Sequence, residues 1–451
     1  MKQSQIPNLK SNITIVGAGP SGASLAIRLA KENFRVRLVE REKFPRHKLC
    51  GEFISPECLA HFAELGVLDE MLEVGGDRIT ETVFYAPDGK SVSVPSRWFG
   101  GEALSISRAE MDFRLMEKAR EVGVEVLEET QVVGVLFEND EICGIKVRTK
   151  DGNTQEISAD LTIDATGRAN VLTRLAEKKS LKQRTQDTGH RTKLVGFKTH
   201  LENVNIEKGV CEIYFFRGGY GGLSFVEDNR ANHCFLIRAE TVKEFAGDAD
   251  KILEKVIFQN KRAREAMCEA KPMFDWLAVS VSGFGRKNLN PAKNLLTVGD
   301  AAAFIDPFTG SGMLMALESA EILARSISGN VPLSQKVTPA SRWLSDERPA
   351  HRVKIFESAG RTLDSQRDAG VTIASRFSKA RKFSQKIAED YKILHHQKFQ
   401  KRMRVCSIMR RAAFVPNFAK IAISVLSLSR AAREILARST RHTLSINKNK
   451  W

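Results

Sequence analysis

The chain has 451 residues, 42% hydrophobic and 27% charged, too apolar for a disordered chain and ordinary for a folded, multidomain one. Its formal net charge is +16, from 70 Lys+Arg and 54 Asp+Glu. Between Arg376 and Lys450 stand 19 basic and 3 acidic residues, leaving 51 of each sign elsewhere. A uniformly basic, histone-like or ribosomal protein is excluded: an enzyme-sized neutral body carries a cationic tail.

The start, Met1 to Ser11, is polar and lacks the apolar core of a signal peptide. Asn12 to Val16 (NITIV) reads as a buried strand and runs into Gly17-Ala18-Gly19-Pro20-Ser21-Gly22. Ala23 to Ala30 has helical spacing, and Arg35 to Val39 returns as a strand ending in Glu40. This is a βαβ unit carrying a G-x-G-x-x-G turn. Gly17 permits the tight turn, Gly19 lets backbone approach a pyrophosphate, and Gly22 lets helix pack on strand. The pyrophosphate would sit on the helix N-terminus, where unpaired N–H groups favour anions. Glu40, 18 positions after Gly22, is placed to accept bonds from both ribose hydroxyls and disfavours a 2′-phosphate.

A helix over Met111 to Val122 follows, then an alternating β region from Gln131 to Arg148 with a turn at Asp151-Gly152. Leu161 to Asp164 reads as another buried strand. Residues 176–194 are polar and suit a connection between domains. Strand-like segments including Val195–His200 and His233–Arg238 come next. Asn294 to Val298 is a last buried strand, leading through Gly299-Asp300 to a helix over Gly312–Ile327. Its apolar face is Met313, Ala316, Leu317, Ala320, Leu323 and Ala324.

Seven cysteines, at 50, 58, 143, 211, 234, 268 and 406, form no C-x-x-C, which argues against a disulfide framework or structural zinc. No metal site is expected. No run reaches the ~20 apolar residues of a spanning helix. The expected setting is cytoplasmic, with peripheral membrane contact through the tail as a possibility.

Leu161-Thr162-Ile163-Asp164-Ala165-Thr166-Gly167-Arg168 and Leu295 to Phe304 (LLTVGDAAAF) closely resemble motifs of the FAD-dependent oxidoreductases with the para-hydroxybenzoate hydroxylase fold. That resemblance implies an α/β fold: a Rossmann-type, glutathione reductase-like FAD-binding domain with an inserted mixed β-sheet substrate domain and a helical C-terminal segment. It implies that Asp300 meets ribityl or ribose hydroxyls. The turn Pro307-Phe308-Thr309-Gly310-Ser311-Gly312, with Met313 after it, would lie against the flavin ring. Pro20, Ser21, Arg41, Val132, Asp164 and Gly167 join the implied FAD set. The corresponding boundaries are 1–80, 105–185 and 285–370 for the FAD domain, 81–104 and 186–284 for the substrate domain, and 371–451 for the basic helical segment.

Pro45-Arg46-His47-Lys48-Leu49-Cys50-Gly51-Glu52 resembles the P-R-x-K-x-C-G segment of the geranylgeranyl reductase family. Ser107-Arg108-Ala109-Glu110 is similar to its helix start, whose Arg contacts FAD. Gly219 to Val226, with Arg230-Ala231-Asn232, resembles the strand pair over its substrate cavity. Gly222 replaces the family's tryptophan there, and Val226 its proline. The resemblance implies that Cys50 and Tyr220 line the reacting site, Cys50 as a proton donor or pocket wall. A buried, inert thiol is the other reading of Cys50, and strand packing that of Tyr220. Glu52 is expected as a solvated loop carboxylate, and His47 at the surface or phosphate side.

The expected activity is C=C reduction on a hydrophobic isoprenoid, lipid or quinone-like substrate. A flavin-dependent monooxygenase acting on a small aromatic or carrier-bound substrate is the alternative. Halogenation stands behind both, because Trp98, Trp276, Trp343 and Trp451 form no W-x-W-x-I-P. With no second G-x-G-x-x-G, NAD(P)H or another reduced carrier is expected to bind transiently. In the tail, basic clusters flank Phe414–Leu428, 15 mostly apolar residues broken by Pro416 and Lys420. Residues 376–441 thus suit an interfacial anchor on an anionic membrane. A helical cap on the FAD domain and a dock for an acidic carrier protein are the other readings. Nucleic acid is not expected, since stacking aromatics are few.

Overall fold

The computed structural model describes residues 11–179, 194–329, 365–414 and 418–440. Most of the 176–194 connection and parts of the 285–370 and 371–451 segments therefore lie outside the described residues. Five strands form a parallel sheet in the order Leu295–Thr297, Leu161–Asp164, Asn12–Val16, Arg35–Val39, Glu125–Leu127. Both faces are buried, one under helices and the other under an antiparallel sheet. Ile13, Ile15, Val36, Leu38, Ile163 and Leu296 are all buried. The helix Pro20–Lys31 starts where the first strand ends, with Pro20 at its first turn. It lies between the helices Arg108–Glu121 and Gly312–Gly329. An antiparallel sheet of Thr130–Glu138, Glu141–Thr149 and Thr154–Ser158 closes a flank, with its turn at Gly152.

A separate eight-stranded mixed sheet draws its strands from residues 81–95 and 194–281. Its central antiparallel strands are Leu194–Glu202, Val210–Phe216, Gly219–Phe225 and Ala231–Arg238. Side chains alternate between faces with a period of two. One face (Phe197, Tyr214, Phe235, Ile237) packs with Ile252, Ile257 and Met267 of short helices behind it. The opposite face carries Phe215, Tyr220 and Leu236 and looks back at the nucleotide half.

The long helix Ser365–Ala413 does not stand free. Tyr391 and Phe399 are buried in the main core, and Tyr391 Oη donates to the Thr297 carbonyl at 3.0 Å. Arg402, also buried, donates to Glu318 Oε2 at 2.6 Å, and Lys398 pairs with Glu318 Oε1 at 3.0 Å. The cap reading therefore holds for this helix: two of its cations neutralise a buried carboxylate. Two shorter helices, Phe418–Leu428 and Arg430–Ser439, follow and rest on the edge strand Ser91–Pro95.

Candidate functional site

The glycine turn is built by close approach. A Cβ on Gly17 (φ +102°) would lie 2.5 Å from the Ala165 carbonyl oxygen, and one on Gly22 would lie 1.9 Å from the Gly17 oxygen. At Gly299 (φ +64°) a Cβ would fall 2.4 Å from Ser21 Oγ. The three segments that are far apart in sequence thus meet at one backbone junction. Gly19 is different: its nearest neighbour would be an Arg108 guanidinium nitrogen at 3.9 Å, so the turn is open on that side.

Charge follows the opening. Glu40 is buried and accepts from the Ala18 N–H at 2.9 Å and the Glu42 N–H at 3.1 Å. Arg108 caps the groove, bound to Asp112 at 2.8 and 2.6 Å, and Arg46 shares that carboxylate at 3.1 Å. Burial works against the Arg108 charge, but Asp112 and the nearby Cys50 hold its pKa above the ordinary value. Burial, with Arg46 and Arg108 beside it, lowers the Lys48 pKa. An anion in this groove would relieve that repulsion. Arg41 lies outside, exposed and paired with Glu42 at 3.0 Å.

Across the groove, burial raises the Asp300 pKa against the pull of Arg168, Lys287, Arg108 and Lys48. Its carboxylate takes no hydrogen bond from any described residue. A Cβ on Gly51, Gly167 or Gly312 would meet nothing within 4 Å. An unpartnered acid, cationic walls and bare backbone on several sides fit FAD: Asp300 and Glu40 for hydroxyls, Arg108 and the Gly19 turn for pyrophosphate, the Pro307–Gly312 turn for the ring. Gly310 (φ +60°) ends the Pro307–Thr309 turn, and Met313 is buried in the helix behind.

Two residues of the implied FAD set have other work. Asp164 is buried, with Oδ1 taken by the Thr166 N–H and hydroxyl and Oδ2 by the Thr173 N–H and hydroxyl, at 2.6 to 3.2 Å. It holds the Ala165–Gly167 loop in place; its carboxylate is saturated. Val132 packs in a cluster with Val16 and Val39, behind the ends of the first two strands.

The other wall is the mixed sheet. Register aligns Ile213, Gly222, Cys234 and Lys198 across four strands, with Phe215, Tyr220, Leu236 and Gly196 in the next row on the same face. Cys50 meets this wall: Asn232 Nδ2 donates to its carbonyl at 3.2 Å, and the Glu52 N–H approaches its sulfur at 3.4 Å. Tyr220 is buried and donates to Asp306 Oδ1 at 2.7 Å, tying the wall to the turn at Pro307. Its hydroxyl therefore braces the site and is not free to donate to a substrate.

Glu52 corrects the sequence expectation. It is fully buried (φ +54°), ion-paired with Lys198, bonded to His200 Nε2 at 2.7 Å and accepting from the Arg108 N–H at 2.8 Å. Burial alone would raise its pKa, but His200 and Lys198 hold it below the ordinary value. His47 is exposed, but its ring stacks on Phe274 at 4.6 Å and meets His200 edge-on at 5.5 Å, covering this group. Lys198 and His200 were not anticipated. The period-two reading that assigns Val195–His200 to a strand puts both on one face, but nothing local marks their partner, 146 residues away. Among the described residues no group of His, Cys, Asp or Glu is arranged to hold a metal ion.

A parallel sheet with its glycine turn at the end of the first strand, and a mixed sheet facing it, define a flavin-dependent oxidoreductase architecture. The chain belongs to the FAD binding domain family whose model matches residues 10–331, and it is an FAD-dependent oxidoreductase. It is 29% identical over 318 residues to digeranylgeranylglycerophospholipid reductase 2 of Methanopyrus kandleri, covering 68% of this chain and 74% of the relative. It is 25% identical over 361 residues to the flavin-dependent halogenase armH3 of Armillaria mellea, covering 73% and 70%. Among solved structures, a geranylgeranyl bacteriochlorophyll reductase-like protein of Thermoplasma acidophilum superposes with a TM-score of 0.69. That match has 17% identity over 96% of this chain and 97% of the other. The flavin-dependent brominase Bmp2 superposes with a TM-score of 0.68 at 15% identity, over 96% and 93%.

Proposed function

We propose that this FAD-dependent oxidoreductase saturates C=C bonds of a hydrophobic, isoprenoid or lipid-like substrate. The observation that carries the reading is the wall facing the nucleotide half. It is largely aliphatic and aromatic (Phe84, Phe215, Leu236, Val281), and Cys50 lies beside it, its carbonyl held by Asn232. An apolar wall of this kind gains ~25 cal/mol for each Å² of hydrocarbon it covers, without orienting a polar group. The reductase relative, named for a phospholipid with geranylgeranyl chains, supports the same substrate class.

FAD held by the Gly19 turn, Arg108, Glu40 and Asp300 would, once reduced by NAD(P)H or another reduced carrier, supply a hydride equivalent for one carbon of the double bond. Cys50 holds the proton for the neighbouring carbon, and its thiolate regains one from water. With Cys50 giving the proton that accompanies the hydride, two C–H bonds would replace the π bond. Arg108, beside Cys50, stabilises the thiolate left behind. Asn232 and the Glu52 backbone fix the Cys50 loop against the wall.

The test is anaerobic turnover of a polyprenyl phospholipid with chemically reduced enzyme, read by mass spectrometry as one dihydrogen equivalent per double bond. Cys50→Ala is expected to lower kcat about 100-fold with flavin content unchanged. Oxygen consumption with an oxygen atom in the product, and no saturation without air, would establish the monooxygenase reading instead.

A further inference from the structure

The helix Phe418–Leu428 is apolar on two opposite faces. Ala419, Ile423 and Leu426 turn inward and join Tyr220, Phe308, Phe84 and Phe215 in the cluster over the substrate wall. On the outer side Ile421 is 63% exposed, Val425 57% and Leu428 86%, and Ile435 of the next helix is 71% exposed. A surface helix ordinarily carries polar residues there. Each of these aliphatic side chains is stabilised by leaving water.

Among the described residues 418–440 the charges are mainly positive. Lys420, Arg430, Arg433 and Arg438 face a single acid, Glu434, which Arg438 holds at 2.6 Å. On the long helix, exposed Lys401, Arg404 and Arg411 surround exposed Ile408. Arg433 also donates to the Ser93 carbonyl at 3.3 Å, fixing the last helix to the edge strand. The stripe is thus presented by a braced surface.

We infer that this face docks on an anionic lipid bilayer, with Ile421, Val425, Leu428 and Ile435 in the acyl boundary and the cations among the headgroups. A second copy of the chain would set like charges against each other. An acidic protein would satisfy the cations and leave the aliphatic stripe unmatched. The helix has 11 residues against the ~20 of a span. No described helix is long and apolar enough to cross a membrane, so the contact is interfacial. Because the inner face of the same helix roofs the substrate cluster, docking brings the site beside the bilayer surface. The substrate route rests on the proposed function; the lipid contact does not.

The experiment is flotation of the holoenzyme with phosphatidylcholine vesicles, with and without phosphatidylglycerol, at low and high salt. Binding is expected to need the anionic lipid and to weaken with salt. The double variant Val425→Asp/Leu428→Asp should bind at least about tenfold more weakly. It should keep its flavin absorbance and its reduction of a short, water-soluble alkene. No flotation by the native protein, or flotation unchanged in the variant, would overturn the inference. So would a native dimer that the double variant converts to monomer, since the stripe would then belong to a second copy. Flotation as expected with no alkene reduction would leave the lipid contact standing and remove the proposed function.

Discussion

The nucleotide cradle and the substrate wall face each other across one groove, yet they are built by different means. The cradle is made of backbone: Gly17, Gly22 and Gly299 are sites where a Cβ would enter another atom, and Gly19 is where the backbone is bare. The wall is made of side chains brought level by strand register, from Ile213 through Gly222 and Cys234 to Lys198. Backbone sites demand one residue type; register sites accept many. Substitutions should therefore fail steeply in the cradle and by degrees along the wall.

The largest effect should come from Gly22→Val. Its Cβ would lie 1.9 Å from the Gly17 oxygen, backbone that cannot give without opening the turn. Purified protein should carry no flavin, and overpacking should lower stability by about 3 kcal/mol. Gly101→Ala is the contrast outside the groove, since nothing lies within 4 Å of its Cβ and its φ is not positive. It should retain its full flavin absorbance. Equal flavin loss in both variants would erase the distinction drawn between the two kinds of glycine.

Next is the exception in the wall, the buried Glu52–Lys198–His200 group. Lys198→Met leaves Glu52 without its cation and should lower stability by about 3–5 kcal/mol in denaturant melts. Adding Glu52→Gln should restore most of that loss, because the buried charge is gone. The pH dependence has a defined sign. The folded Glu52 pKa is depressed, so its contribution is present above the unfolded value of about 4.3 and is lost as pH falls through the folded one. The native protein should therefore lose stability below about pH 4 more steeply than Glu52→Gln.

The same division governs what could be read from the sequence. The cradle was legible because G-x-G-x-x-G, the Asp164 segment and Gly299-Asp300 are each local, and backbone geometry restricts each to few residue types. The parallel strands were legible as short β-branched runs. Which atoms the motif residues use was not: Asp164 spends its carboxylate on Thr166 and Thr173, and the sequence does not show that. Glu52 read as solvated because its neighbours Gly51 and His47 look like loop residues. Its partners arrive from a strand about 150 positions later. The tail divided in the same way. Its charge was countable, but the use of Arg402 and Lys398 on Glu318 depends on where helix Gly312–Gly329 lies.

Tyr220→Phe should have a smaller effect, about 1–2 kcal/mol, since it removes one hydroxyl from the buried Asp306 carboxylate. Burial already raises the Asp306 pKa, so the carboxyl can take up a proton in place of the lost donor. Turnover should fall less than about tenfold, against the much larger loss expected for Cys50→Ala. A hundredfold drop in kcat with stability intact would move Tyr220 from a brace to a proton donor, and the wall would hold two reacting groups.

The smallest effect on folding and the most specific one on function should come from Gly222. It has no positive φ, and its Cβ would meet the Ile213 Cδ1 tip at 3.1 Å, which can rotate away, and the Glu212 carbonyl oxygen at an ordinary 3.7 Å. Gly222→Ala should therefore change stability by less than about 1 kcal/mol. Yet Gly222 sits in the row between Ile213 and Cys234, where a side chain projects from the wall toward the groove. A larger residue such as phenylalanine would occupy space that a long hydrocarbon substrate needs and a short one does not. KM for a polyprenyl chain should rise by about tenfold while kcat on a short alkene holds. If both substrates suffer equally, the row bears on the reacting atoms and not on chain length. Glycine here would then be required by the chemistry, as it is in the cradle, and the contrast between the two walls would narrow at this position.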